Sequence, residues 1–176
     1  MREYEFTLKF AIPGGYDRET LEQRLFEGGC DDALVGTGQK GRLALRFTRA
    51  AANASDAVDS AVRDVQRAVP EARLVEAEPD RVGVSDIAEL FAFSRQNMRK
   101  LLQQHTDTFP LPLHEGRSSL WHLADVLDWF EARQARTVDS TVREVARASM
   151  AVNAAREAAR LERPVGAGGG HHREAG

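Results

Sequence analysis

Between residues 94 and 104 the chain carries Arg95, Gln96, Asn97, Arg99, Lys100 and Gln103 and no carboxylate, whereas Asp86 and Glu89 precede the stretch and Asp125, Asp128 and Glu131 follow it. Glutamine and asparagine amides can pair bidentately with adenine edges, and an arginine forks onto guanine or holds a phosphate. Gln96, Asn97 and Arg99 are thus suited to reading bases, and Lys100 and Gln103 to fixing register on the phosphate backbone. The solvated face of any helix can carry the same residue types, so the decision rests on the element that presents them.

The whole chain sets 24 Lys+Arg against 27 Asp+Glu, a formal net charge of −3. No global cationic field draws it onto nucleic acid or anionic lipid, and any attraction to DNA must be local. Residues 82–136 hold 6 basic and 7 acidic groups. Acidic surroundings of this kind keep non-specific DNA affinity low and leave selectivity to one face.

Other chemistries find little support. The single cysteine, Cys30, excludes an intramolecular disulfide framework and any multi-cysteine metal site, and it suits a reducing compartment. Asp31 and Asp32 beside it have no histidine nearby in sequence, and the trio reads as a polar strand entry after a small buried cysteine. His105, His114 and His122 are too widely spaced for a compact ligand motif, and His171 with His172 are too few, so no metal is expected. Gly36, Gly38 and Gly41 match dinucleotide-binding spacing, but the residues after them alternate like a strand. Phosphate binding there needs a helix start, so they read as turn glycines with positive φ. With no paired-carboxylate or Ser/His constellation, the expectation is a protein without covalent chemistry or cofactor. The opening residues alternate in polarity, unlike a secretory signal, and no apolar run is long enough to span a bilayer. The expected location is the cytoplasm.

The elements that must position the cationic stretch follow from periodicity. Tyr4, Phe6, Leu8, Phe10 and Ile12 recur at period two, the pattern of a strand with one buried face. A helix capped by Asp17 and running to Glu27 carries Leu21, Leu25 and Phe26 as its apolar stripe, and Gly28-Gly29 ends it. Two strands, 33–35 and one containing Leu43, Leu45 and Phe47, flank a turn. A second helix spans about 55–69 with Ala57, Val58, Ala61, Val62 and Val65 on one face, and a strand at 72–77 follows. The order is that of a ferredoxin-like βαββαβ sandwich, a mixed α+β unit over residues 1–80 that can serve dimerisation or ligand binding.

From Val84 the sequence predicts a helix pair. Ser85 or Asp86 can cap the first helix, with Ile87, Ala88 and Phe91 facing inward, and Ser94 can cap the second, with Met98, Leu101, Leu102 and His105 on its buried side. Ala92 occupies the turn position commonly filled by glycine, where a left-handed alanine costs roughly 1 kcal/mol. Residues 108–113 are extended because Pro110 and Pro112 forbid helix, Glu115-Gly116 supplies a turn, and 118–121 reads as the return strand. A closing helix buries Leu123, Val126, Leu127 and Phe130, and Trp121 and Trp129 read as core.

A helix pair, hairpin and closing helix make a winged helix-turn-helix. The run SRQNMRKLL, then FPLP, a glycine turn, LW and DVLDWF, resembles the excisionase and AlpA-type branch of the MerR-like DNA-binding domains over about residues 82–132. The arginine-tyrosine-rich segment of full MerR sensors is absent. The resemblance implies a recognition helix beginning at Ser94, with Arg95, Gln96, Asn97, Arg99, Lys100 and Gln103 at the DNA, and a wing tip around Gly116 from which Arg117 reaches the minor groove or a phosphate.

The expected organisation is a first domain at 1–80, a winged unit at 81–136, a helical extension at 137–163 and a disordered tail at 164–176. Val138, Val142, Val145 and Val152 on the extension form a narrow stripe that either pairs two protomers or belongs to a solvated, partly frayed helix. The function expected is that of a homodimeric, sequence-specific DNA-binding regulator. The alternatives are an adaptor that docks a protein partner through the winged unit, and a small-ligand sensor using the first domain.

Overall fold

The alternation that begins at Tyr4 folds as β1 (Arg2–Ala11), with Tyr4, Phe6, Leu8 and Phe10 all buried. The structure, a computed structural model, describes residues 1–163; the tail expected to be disordered, with His171 and His172, lies outside them. In α1 (Arg18–Glu27), Asp17 accepts the Thr20 amide at 2.8 Å, and the hydrogen bonds from Thr20 hold its carboxyl below the ordinary carboxylate range. Leu21 and Leu25 are buried, but Phe26, expected in the same stripe, is 67% exposed. Leu21 and Leu25, four residues apart, share the buried face, and Phe26, roughly 100° round the helix from Leu25, falls outside it.

β2 (Ala33–Gly36) and β3 (Arg42–Ala51) form the expected hairpin. Only Gly41 of its three glycines takes positive φ, at 78°; Gly36 lies within β2, so the expectation for the other two is corrected. α2 (Ala54–Ala68) buries Ala57, Val58, Ala61 and Val65, and β4 (Arg73–Glu78) completes a four-stranded sheet in the order β2-β3-β1-β4. Each neighbouring pair is antiparallel, so α1 and α2 each connect strands that are parallel and separated by one strand. Both helices contribute to one buried cluster with the Tyr4 face of β1.

Arg49 on β3 is 7% exposed and makes contacts that no local pattern announces. Its guanidinium donates to both carboxylate oxygens of Asp32, to Asp64 at 2.8 Å, to the Ser60 hydroxyl and to the Gly29 carbonyl. Asp32, read as a polar strand entry, is therefore one partner in a partly buried ion-pair cluster around Arg49, and Cys30 sits beside it in the core.

The second half is built from β5 (Arg81–Val82), α3 (Val84–Leu90), α4 (Arg95–Gln104), β6 (Trp121–His122) and α5 (Leu123–Gln134). α3 starts earlier than expected: Gly83 is its cap, and Asp86 reaches back to accept the Gly83 amide at 2.9 Å. Ala92 adopts the left-handed conformation, φ 55°. The hairpin is shorter than expected. Residues 108–113 form no strand, the two arms meet at one His114–Leu120 bridge, and Trp121-His122 pairs instead with Arg81-Val82. Pro110 and Pro112 lack the amide donors a ladder needs, which limits pairing to the tip. Ile87, Ala88, Met98, Phe109, Trp121, Val126, Leu127, Trp129 and Phe130 form this half's core.

The largest difference lies in α6 (Ser140–Leu161), which is neither solvated nor left with a free valine stripe. Val145 and Ala148 belong to the first core and Ala146 to the second, with Val142 and Val152 packed against their edges. Asn153 donates to the Ala77 carbonyl and accepts the Ala77 amide, both at 2.8 Å, and also donates to Asp80 at 2.8 Å. Asp80, 1% exposed, lies 2.7 Å from His122 Nδ1 and accepts the Leu123 amide through its carbonyl. This buried network joins the sheet edge, the connection between the two halves and the start of α5. At the other end of α6, Arg2 and the Tyr4 hydroxyl both donate to Glu144, holding that carboxyl below its usual range. Among the described residues no helix is long and apolar enough to cross a membrane.

Candidate nucleic-acid interface

α4 rests on α3 and α5 through Met98, which is fully buried, with Leu101 and Leu102 half-buried beside it. Its start is fixed by Ser94, whose Oγ accepts the Asn97 amide at 3.0 Å. That hydroxyl is occupied in capping, so of the expected contact residues Ser94 has a clear positioning role in the helix itself. With residues roughly 100° apart around the axis, Gln96, Lys100 and Gln103 fall opposite Met98, Arg99 and Asn97 lie on either side of that stripe, and Arg95 lies nearer the edge of the buried face. All six side chains are exposed, and none makes a side-chain hydrogen bond or ion pair among the described residues. Asn97, expected beside Gln96 as a base reader, thus sits at one margin of the face and Arg99 at the other.

Arg117 is exposed in the turn after Gly116, where the Gly116 amide reaches Ser119 Oγ at 3.3 Å. Leu111, between the two prolines, is 89% exposed. Trp129 donates to Thr108 and Trp121 to the Pro110 carbonyl, and Phe109 packs edge-on against both rings. The aromatic residues are therefore spent on holding the proline segment, in line with their reading as core.

Sequence reading missed a further cation. Arg136 stacks on Phe93, its guanidinium carbon 4.7 Å from the ring centroid. Phe93 belongs to a group in which Phe91 and Phe130 stack at 3.9 Å. Ala135 ends α5 in the left-handed conformation and redirects the chain so that Arg136 lies beside the first turn of α4. No pattern of spacing signals such a contact between residues so far apart in sequence.

The electrostatic surroundings also differ from the segment count. Asp128 on α5 is within 3.3 Å of Arg143 and 3.1 Å of Arg147 on α6, and Glu131 pairs with Arg143. Carboxylates counted against the exposed face of α4 are thereby compensated by cations from a different segment. Among the described residues no group of three or more His, Cys, Asp or Glu could hold a metal ion. His122 sits at the joint between the halves and His105 lies edge-on to Trp129. A cleft of about 580 Å³ opens between the solvent face of the sheet and α3, lined by Thr7, Arg46, Arg81, Asp86 and Leu90.

No family model, curated protein or solved structure matches the chain.

Proposed function

We propose that the chain is a sequence-specific, double-stranded DNA-binding regulator that inserts α4 into the major groove. The observation that carries the reading is the outward face of Gln96, Lys100 and Gln103 with Arg99 at its margin, exposed, unpaired among the described residues and free of carboxylates along the helix. Such a face presents amides and guanidinium towards one groove. Support for a winged helix-turn-helix of the excisionase and AlpA type comes from the capped α4, the left-handed residue in the α3–α4 turn and the short arm carrying Arg117. The strand order β2-β3-β1-β4, with both crossing helices in one core, supports a ferredoxin-like first unit. One short helix reads few base pairs, so the working form is a homodimer reading two half-sites.

The test is selection of bound duplexes from a random pool, followed by titration of the enriched sequence with the wild type and the Arg99→Ala/Lys100→Ala variant. A recovered palindrome and an affinity at least tenfold weaker for the variant are the expected results. No enrichment, or indifference to the double change, removes the reading.

Leu111, 89% exposed beside Leu113, favours a second reading, docking of a protein partner on the proline segment. Phosphate binding weakens steeply with salt through counterion release, whereas an apolar contact does not, so the salt dependence of binding separates the two.

A further inference from the structure

At the end of the sheet where Arg73 pairs with Ala11, away from the Asp80 joint, lies a cavity of about 400 Å³. Four arginines line it: Arg73 from the start of β4, Arg156 and Arg160 from α6, and Arg163 just beyond that helix. Gln66, Ala72, Leu74 and Ala159 complete its wall, and among the described residues no carboxylate lines it. Arg156 is held in place by its Nε, which donates to the Leu74 carbonyl at 2.7 Å. The nearby carboxylate Glu157, itself outside the lining, lies 2.9 Å from Arg156 and 3.6 Å from Arg160. Glu71 is turned away to accept the Tyr16 hydroxyl at 2.8 Å. Arg73 and Arg163 have no ion-pair partner among the described residues.

Four cations converging on one concavity repel one another, and among the described residues Glu157 alone pairs with them and offsets part of that repulsion. We propose that this cavity is a binding site for a compact polyanion bearing two or more phosphate groups. Guanidinium forks match phosphate oxygens in pairs, and a ligand with about three negative charges neutralises the arginines that Glu157 leaves uncompensated. The volume lies within the range of about 300–1,000 Å³ typical of small-molecule sites. The apolar wall is limited to small surfaces, including Leu74 and Ala159, so recognition rests on charge. The ligand class is the same whether the phosphates are free or carried by a nucleotide. The site stands apart from α4 and does not depend on the DNA reading. It also lies on the helix that supplies Asn153 to the joint, so occupancy braces α6 against β4 at both places.

Calorimetric titration of the full chain with sodium tripolyphosphate, and separately with a nucleoside triphosphate, tests the proposal. The expected result is saturable one-to-one binding that weakens at least tenfold in Arg73→Gln and in Arg160→Gln, with unchanged affinity in Arg99→Ala/Lys100→Ala. Equal affinity for both probes assigns recognition to the phosphates alone, and tighter nucleotide binding extends the site to the nucleoside. Circular dichroism melts show that the exposed-residue variants keep the fold. Absence of saturable binding, or an equal loss in the α4 variant, overturns the proposal. It is likewise overturned if the triphosphates fail to bind and Arg73→Gln instead weakens duplex DNA binding, which makes the cavity part of a DNA path.

Discussion

The guanidinium of Arg136 lies over the ring of Phe93, and each of these residues directly follows a left-handed alanine: Ala92 at φ 55° and Ala135 at φ 49°. Alanine pays a steric penalty of about 1–2 kcal/mol in this region because Cβ crowds the following carbonyl. Two such residues on the two sides of one contact mean that packing of the Phe91, Phe93 and Phe130 rings outweighs local strain. Replacing either alanine by glycine removes the Cβ. Ala92→Gly and Ala135→Gly are each expected to raise stability by up to about 1 kcal/mol, after allowing for the larger entropy glycine loses on folding. Urea unfolding measures this directly. A loss of stability in both variants would show that the alanine methyls make contacts worth more than the strain.

Arg136 also makes a prediction about binding that differs in kind from those for α4. Its guanidinium is positioned by stacking beside the start of the helix, where it can meet phosphate and no base edge is implied. On the proposed function, Arg136→Ala weakens binding to all duplexes alike and reduces the slope of log affinity against log salt by about one. Gln96→Ala, by contrast, relaxes sequence preference at one position while leaving that slope unchanged. Anisotropy titrations at several salt concentrations, with cognate and scrambled duplexes, distinguish the two. An unchanged slope for Arg136→Ala places this arginine off the DNA.

Asn153 completes the edge of the sheet as a peptide group would, bonding both the amide and the carbonyl of Ala77 while its remaining N–H reaches Asp80. Asn153→Ala leaves these three buried groups without that partner. Unsatisfied buried polar groups cost about 1–3 kcal/mol each, with partial recovery by water, so the expected loss is about 2–4 kcal/mol. Ser149, one turn earlier on α6, gives the opposite case: its hydroxyl is buried with no hydrogen-bond partner among the described residues. Ser149→Ala is expected to be neutral or stabilising by about 1 kcal/mol. Denaturant melts of the pair show whether α6 is an integral part of the fold. Loss of Asn153 without effect would mean the helix contributes by apolar packing alone.

What the sequence reveals and conceals divides along the range of the interactions. The β1 alternation, the α2 stripe, the Asp17 and Ser94 caps and the exposed cations of α4 are written in residues within one or two turns of each other. The Arg49 cluster, the Asn153 joint and the Arg136 stack join residues with no common period, and their charges look solvated when counted along the chain. The valines of α6 show the same limit. A narrow stripe is compatible with a second protomer or with the chain's own sheet, and only the folded position of β1 and β4 decides for the latter. The proline segment failed for a different reason, since extended backbone without amide donors satisfies the pattern of a strand while lacking its bonds.

Cys30 offers a prediction that depends on the depth of the first core. Burial pushes its thiol up to about 11 from an ordinary value of 9.0; the Arg49 cation opposes that shift, and the carboxylates of Asp64, Asp32 and Asp31 reinforce it. The folded chain therefore holds the thiol proton more tightly than the unfolded chain. The associated stability is intact below about pH 9 and is lost as the pH rises from there towards 11. Since the thiolate is the reactive form, a disulfide reagent at pH 8 should label the native protein far more slowly than the urea-unfolded protein. Arg49→Met removes the cation while leaving Asp32 and Asp64 in place; this pushes the thiol further up wherever the fold holds, so the faster labelling expected of the variant reports loosening of this part of the core. Labelling of the native wild type at the rate of a free thiol would contradict the burial of Cys30.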